Sequence, residues 1–270
     1  MRDRRFVVRE ILIVLAVAAF LALVAFAMLR LLEPRPAVPP DVAARLDESL
    51  GSLMRSQILA TQQVIDVPQV KEGLAVIAGR LHDALPEPRI RFDVIVLQSP
   101  EINAFTLPGD TVCVDTGLIR ELRSAEEMAG VLGHELSHAI NRDPLTLLAR
   151  RVGIAALISA VSGGQGGTIL ANTAQTMINM QYGREAEDRA DDFSVRLLAR
   201  AGIPPDSFGD ALERIRDSDA KEPGLLKYLD PHSPIEQRIS RARELARRQA
   251  LTTRPLGVDW AALVQALPER

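Results

Sequence analysis

The chain has 270 residues, of which 47% are hydrophobic and 25% are charged, with a net charge of -3 and a pI near 5.9. This acidic balance argues against a nucleic-acid-binding protein, which presents an excess of Lys and Arg. Cys113 is the sole cysteine, so no internal disulfide can form. Its place in a predicted strand favours a thiol in the core over a nucleophile.

The amino terminus carries an apolar run that is long enough to cross a bilayer. Residues 11 to 29 are 19 consecutive apolar residues, roughly 28 Å as a helix. Four arginines precede the run, which predicts a cytoplasmic amino terminus and a periplasmic remainder. A cleaved signal peptide ending at Ala27 is the alternative, although the run exceeds a usual signal core. We expect a single-pass inner-membrane anchor over residues 1 to 32.

A proline-rich linker over residues 33 to 40 separates this anchor from the rest of the chain. We expect one domain over residues 41 to 250, followed by a tail over residues 251 to 270 to which the sequence assigns no role. A second membrane span is not expected, because the apolar segment from Val152 to Val161 is too short and favours a buried or interfacial helix. The glycine-rich stretch that follows it predicts a mobile loop.

A small β-sheet is predicted in the first half of this domain. The segment from Arg89 to Leu97 is rich in Ile and Val, and Thr111 to Asp115 is a second short β-like run. Pro108, Gly109 and Asp110 form a turn that joins the second run to a strand preceding it. Since most other patterned segments are helical, the fold class is α+β, mostly helical with a small sheet.

The segment from His134 to His138 is an HExxH motif and the most informative feature of the chain. Residues i and i+4 share one face of a helix, so both histidines can reach a single Zn²⁺ ion. Glu135 then lies beside the water that such an ion activates, where it can act as a general base. The alternative is an ordinary amphipathic helix whose histidines are packed or solvated.

The sequence around the motif predicts a well-defined helix. Ser124 and Glu127 form a capping box at its start, and apolar residues recur at helical spacing after them. The helix should end near Asn141, because the residue before Pro144 is biased away from helical geometry.

A third ligand is expected from a second helix, which runs from Arg184 to Ala201 and is ended by Gly202. Glu187 and Asp191 are four residues apart and share a face, which suits one metal-binding carboxylate and one that accepts a hydrogen bond from a ligand histidine. Glu185 is the competing ligand, and it points to a different side of the helix. A charged, solvated helix surface is the alternative.

His232 precedes a further capping box, Ser233 to Glu236, with proline at the first helical position. The cap positions the histidine. One interpretation is a group that hydrogen-bonds the oxyanion of a tetrahedral intermediate, with Arg238 adding positive charge nearby. A second is a histidine that occupies the open zinc position in a resting enzyme. A third is a surface histidine at a helix start.

Taken together, these motifs resemble the HtpX-like, CAAX-protease-like (gluzincin) zinc metallopeptidase family, especially its singly anchored periplasmic members of the BepA and LoiP type. The resemblance covers roughly residues 65 to 248 and follows the order of the family's motifs. In this chain they are Asn103-Ala104-Phe105 with Pro108-Gly109, His134 to His138, Glu187 to Asp191, and His232 with Arg238.

The resemblance implies a zincin-like domain with one Zn²⁺ per chain, held by His134, His138 and Glu187. It implies that Arg184 and Asp191 support the third ligand. By the same resemblance, the sheet edge formed by Asn103, Ala104 and Phe105 flanks the active-site cleft, where an extended substrate adds as a further strand. A plain hairpin packed on the zinc helix is the alternative for this segment.

Three positions depart from the family pattern. Asp110 stands where a second glycine is usual, and Asp143 stands where a histidine often follows the zinc helix. We expect neither change to touch a metal ligand. Gly183 replaces a common serine before Arg184, which removes a likely cap from the second helix.

The resulting hypothesis is a membrane-anchored, zinc-dependent endopeptidase. By the resemblance, its partners are unfolded or misassembled envelope proteins, which it degrades or processes. The alternative from another class is a non-catalytic chaperone or assembly factor that retains the zinc-peptidase fold. Glu135 favours the enzyme, because a binding module has no need of a general base.

Overall fold

The computed structural model describes residues 17, 20, 40–86, 92–162, 182–221, 234–250 and 252–269. The chain divides into two compact units, Met1–Ala43 and Ala44–Arg270. The predicted anchor, except for residues 17 and 20, lies outside the described residues, as do the glycine-rich loop and His232.

The described segments are mostly helical, with one small sheet, which confirms the α+β class. The helices are α1 (Pro40–Thr61), α2 (Pro68–Asp83), α3 (Thr116–Glu121), α4 (Ala125–Ile140), α5 (Asp143–Val152), α6 (Ile154–Val161), α7 (Arg184–Ala201), α8 (Asp206–Lys221), α9 (Ile235–Arg247) and α10 (Trp260–Gln265), and the strands are β1 (Asp93–Leu97), β2 (Ala104–Thr106) and β3 (Thr111–Asp115).

No described helix is by itself long and apolar enough to span a membrane, although α5 and α6, bent by 105° at their junction, together meet the requirements of length and composition. Helix α6 buries Leu157 and Ala160 and exposes Ile158.

The sheet has the order β1-β3-β2, with β1 parallel and β2 antiparallel to β3. Strands β2 and β3 form the predicted hairpin, and Phe105 lies opposite Cys113. Gly109 in the turn has a φ of 84°, a conformation that glycine adopts without steric cost. Cys113 is fully buried and free, as the sequence indicates. Strand β2 is an edge strand and packs against α4.

Helix α4 is the centre of the domain, because 14 of its 16 residues are buried. It packs against α7, α8 and β2. The predicted cap at Ser124 is present, because the Glu127 backbone N–H donates to Ser124 Oγ (3.1 Å). The Glu127 carboxylate accepts from the Arg123 N–H (2.8 Å), one residue before the Ser124 N–H that a capping box would use. The helix ends at Ile140, as the sequence predicts.

The carboxyl-terminal segment belongs to the same core, so the compact unit extends past the expected boundary at residue 250. Trp260 is buried, and its Nε1–H donates to the Leu122 carbonyl (2.9 Å). Leu263 and Leu267 are members of the main apolar cluster. Helix α9 begins at Ile235 with Pro234 as its N-cap, one residue later than proline at the first helical position implies.

Candidate metal centre

Three side chains from two helices converge in the interior of the domain. His134 and His138 on α4 and Glu187 on α7 are all buried, and their candidate ligand atoms lie within 4.8 Å of one another. The two Nε2 atoms are 3.1 Å apart, and each lies 3.6 Å from an oxygen of Glu187. Among the described residues, this is the cluster of His, Cys, Asp and Glu that could hold a metal ion.

The register of α7 decides which carboxylate reaches this cluster. Helix α7 begins at Arg184 and ends before Gly202, whose φ is 69°, as the sequence predicts. Glu187 faces α4 and is 5% exposed, whereas Glu185 lies on the solvent side. The structure therefore brings Glu187, and not Glu185, to the histidines.

A carboxylate holds the far nitrogen of each imidazole. His134 Nδ1 lies 2.9 Å from Asp191 Oδ1, and His138 Nδ1 lies 2.9 Å from Asp143 Oδ2. A carboxylate at Nδ1 keeps the proton on that nitrogen and leaves the Nε2 lone pair for a metal ion. Both imidazoles are thus oriented for coordination through Nε2.

Arg238 contacts two of the carboxylates described above, those of Asp191 and Glu187, and is 2% exposed. Its Nε and Nη2 groups donate to the two oxygens of Asp191 (2.8 and 2.7 Å), and its Nη1 lies 3.1 Å from Glu187 Oε2. Burial raises the pKa of Asp191, but the Arg238 charge and the hydrogen bonds from His134 and Arg238 outweigh it and hold that pKa well below its usual value. The sequence-based expectation placed Arg238 at the oxyanion; the structure places its guanidinium on two carboxylates of the metal centre.

Glu135 lies beside the cluster in a closed environment and is 3% exposed. Its Oε2 accepts a hydrogen bond from Thr106 Oγ1 (2.8 Å), which also lies 3.0 Å from the Glu135 carbonyl oxygen. Burial raises the pKa of Glu135 despite the nearby His134 and His138, which lower it. A raised carboxylate pKa suits a group that takes up a proton during a reaction.

A family model covers most of this domain. Residues 66–246 match the model for Peptidase family M48. The chain belongs to this family. The resemblance seen in the motifs is therefore confirmed.

Individual relatives match over part of their length. The chain is 27% identical over 222 residues to a putative beta-barrel assembly-enhancing protease of Vibrio cholerae, covering 75% of this chain and 45% of that protein. It is 29% identical over 155 residues to metalloprotease YcaL of Escherichia coli, covering 55% of this chain and 60% of that protein. It is 30% identical over 116 residues to mitochondrial metalloendopeptidase OMA1 of Arabidopsis thaliana, covering 43% of this chain and 24% of that protein. The chain thus spans less than two thirds of the length of each of these relatives.

Asp143, which stands where the family pattern often has a histidine after the HExxH helix, contacts a residue of the metal centre. The expectation that this position touches no metal ligand is wrong, because Asp143 holds His138 Nδ1. Arg189 Nη2 donates to both oxygens of Asp143 (2.9 and 3.0 Å). Arg142 adopts the left-handed conformation (φ 51°) at the turn between α4 and α5, just before Asp143. The only sequence signal for this contact was that Asp143 follows His138 by five residues. That signal is weak, because a turn separates the two residues and helical periodicity does not continue across it.

The predicted substrate-binding residues and Arg184 lie outside the cluster of metal ligands. Ala104 and Phe105 are buried in β2, the strand that carries Thr106 to Glu135. Asn103 is 2% exposed, and its carbonyl oxygen accepts from the Asp115 N–H (3.0 Å). Arg184 is exposed in the first turn of α7, and the N-cap residue of this helix, Gly183, provides no side-chain cap.

Aromatic rings lie against both imidazoles, a feature that the sequence analysis missed. The Tyr182 ring stacks on His138, with ring centroids 4.0 Å apart and an interplanar angle of 24°. The Phe208 ring lies against His134 at 5.7 Å and 21°. Burial and the carboxylates of Glu135, Asp143 and Glu187 raise the pKa of Tyr182 well above its usual value.

Proposed function

We propose that this chain is a zinc-dependent endopeptidase, anchored in the inner membrane, that cleaves unfolded or misassembled envelope proteins. The observation that carries the proposal is the buried donor set of His134, His138 and Glu187 with Glu135 beside it. Asp191 and Asp143 hold the two imidazoles at Nδ1, which leaves both Nε2 atoms directed at Glu187, the arrangement that a bound metal ion requires.

The donor set fits zinc. Two imidazole nitrogens and one carboxylate oxygen are three protein ligands of the kinds that zinc prefers, and three ligands leave one coordination position open. A zinc ion held there supplies Lewis acidity, which activates water and polarises a peptide carbonyl. We expect one zinc ion per chain.

Glu135 performs the proton transfers of the reaction. Its carboxylate takes a proton from the attacking water and passes it to the leaving amine. Thr106 donates to Glu135 Oε2 and keeps the carboxylate on the side of β2. Burial excludes bulk water, which strengthens each electrostatic interaction in the site.

Substrate binding is proposed at the edge strand β2. This strand packs on α4 and carries Thr106 to the general base, so a peptide aligned with it passes the site. An extended peptide added to a sheet edge is bound through its backbone, which requires a locally unfolded segment and little sequence specificity. The names of the beta-barrel assembly-enhancing relatives support a substrate class of misassembled envelope proteins.

Anchoring is proposed from the amino-terminal sequence. The 19-residue apolar run and the arginines before it support a helix that crosses the inner membrane with its amino terminus in the cytoplasm. The domain then lies in the periplasm, where envelope proteins assemble. Flotation of the full chain with membrane vesicles, before and after an alkaline wash, tests the anchor.

The experiment that separates an enzyme from a non-catalytic chaperone is the Glu135→Gln variant of the full chain. We expect it to retain metal and fold but to cleave an unfolded test protein about 10²- to 10⁴-fold more slowly than the wild type, since only the base is removed. Zinc content and proteolysis are measured on the same preparations. A wild-type chain that cleaves nothing, together with full rescue of a deletion phenotype by Glu135→Gln, would support the chaperone.

A further inference from the structure

The two ligand histidines are held by the same pair of contacts. Each imidazole has a carboxylate at Nδ1, and each has an aromatic ring against one face. The imidazole planes of His134 and His138 are inclined at 81° to each other, with centroids 4.8 Å apart. Because the planes differ, each ring requires its own support to keep Nε2 directed at a common point.

The hydrogen bond alone does not determine the plane of His138. A single bond from Nδ1–H to Asp143 restricts the position of that nitrogen, yet the imidazole can still tilt about the bond axis. The Tyr182 ring, stacked with its centroid 4.0 Å from that of the imidazole, opposes this tilt. Tilting the imidazole would either separate its face from the Tyr182 ring or force the two rings into steric contact. Asp143 and Tyr182 together therefore restrict both the position and the plane of the imidazole.

Tyr182 also connects the two helices that carry the ligands. It lies two residues before α7, which carries Glu187, and its ring contacts His138 on α4. Part of the Tyr182 surface is accessible to solvent, whereas Phe208 is fully buried in the core. Substitution of Tyr182 thus tests the stacking contact with a smaller risk of opening a core cavity.

We propose that Tyr182 is a positioning residue of the metal centre, and that its ring, not its hydroxyl, sets the metal affinity by holding the plane of His138. This proposal rests on the metal site of the proposed function. Partners that orient a ligand histidine from outside the coordination sphere typically change metal affinity by about 10- to 100-fold when removed.

The test compares Tyr182→Phe, Tyr182→Leu and Tyr182→Ala in the full-length chain. Zinc affinity is measured by competition with a chromophoric chelator, and the absorption spectrum of the Co²⁺-loaded protein reports ligand geometry. We expect Tyr182→Phe to bind zinc within about 3-fold of the wild type and to keep its cobalt spectrum. Tyr182→Leu and Tyr182→Ala should bind about 10- to 100-fold more weakly with an altered spectrum. Val76→Ala, at an exposed apolar position on α2, is the matched control.

Two results would overturn the proposal. Tyr182→Ala with wild-type zinc affinity and cobalt spectrum would show that the ring has no positioning role. If Tyr182→Phe loses as much zinc affinity as Tyr182→Ala, the hydroxyl and not the ring sets the affinity. Thermal unfolding of the metal-free variants separates a local effect from loss of fold. A wild-type chain that binds zinc but cleaves nothing would refute the peptidase function and leave this comparison valid.

Discussion

At the scale of single residues, the metal centre depends on which of two nearby carboxylates faces α4. Glu187 is buried against the histidines. Glu185, two residues earlier on the same helix, points to a different side and is exposed. Both carry the same charge, so their difference is one of position alone.

We therefore expect Glu187→Ala to lose most of the bound metal, because it removes one of three ligands and leaves Arg238 without one of its two carboxylate partners. Glu185→Ala is the matched control and should retain the metal. Metal analysis of both purified variants checks this. The reverse result would mean that the carboxylates were assigned in the wrong order.

Asp47 on α1 is a buried carboxylate away from the metal ligands. It accepts a hydrogen bond from the Gly109 backbone, and its Oδ2 lies 3.7 Å from Arg142 Nε. Burial raises its pKa from 3.8 to about 6, against the effects of Gly109 and Arg142. The folded state therefore binds this proton more tightly than the unfolded state does, and the stability contributed by Asp47 decreases as the pH rises from about 4 to about 6.

Asp47→Asn should accordingly raise the free energy of unfolding at pH 7.5 by about 1–3 kcal/mol, since the amide can keep the Gly109 contact without a charge. The advantage should shrink at pH 5, where Asp47 is largely protonated. Denaturant unfolding of wild type and variant at both pH values measures the difference. An equal difference at pH 5 and pH 7.5 would show that the Asp47 pKa is not raised.

At the scale of secondary-structure elements, the close approach of α4 to its neighbours depends on two glycines. A Cβ at Gly130 would lie 2.8 Å from Phe208 Cα on α8, and a Cβ at Gly133 would lie 3.1 Å from Ser194 Oγ on α7. The first contact is with backbone, which cannot rotate away. Helix α8 also carries the ring that lies against His134.

Gly130→Ala should therefore lower the free energy of unfolding by about 1–3 kcal/mol, because α8 must move away from α4. Gly79→Ala on α2 is the control: no atom lies within 4 Å of its Cβ position, so it should raise stability by about 0.5–1 kcal/mol. Denaturant unfolding of the metal-free proteins measures both. Stabilisation by Gly130→Ala would contradict the close packing of α4 on α8.

At the scale of the whole molecule, the metal centre joins the two helices that pack most extensively among the described helices. Its ligands come from α4 and α7, and Arg238 adds α9 to the same cluster. A metal ion bound at this point would stabilise contacts among three helices that are distant in sequence.

Removal of the metal should therefore lower the melting temperature. A metal present at 100 times its Kd contributes about 2.7 kcal/mol, which corresponds to roughly 5–10 °C for a domain of this size. Thermal unfolding with and without a chelator measures the shift. Glu187→Ala should show little or no effect of the chelator; a shift as large as in the wild type would place the metal elsewhere.

Local patterns in the sequence were sufficient to predict several elements and the candidate ligands. The N-cap at Ser124, the end of α4 near Asn141 and the end of α7 before Gly202 each depend on a few neighbouring residues. The spacing of His134 and His138 likewise predicts their proximity, because one helical turn separates them. Such features are determined by the sequence itself, since the interactions that produce them span fewer than about five residues.

Other features were decided only by the tertiary structure. The hydrogen bond from Thr106 to Glu135 and the ion pair of Arg238 with Asp191 join residues that are 29 and 47 positions apart. Trp260 reaches the core through a contact with Leu122. Asp143 reaches His138 (2.9 Å) across a turn in which Arg142 adopts a left-handed conformation. These contacts depend on how helices and strands pack in three dimensions, and the periodicity of a single segment does not specify the position of its neighbours.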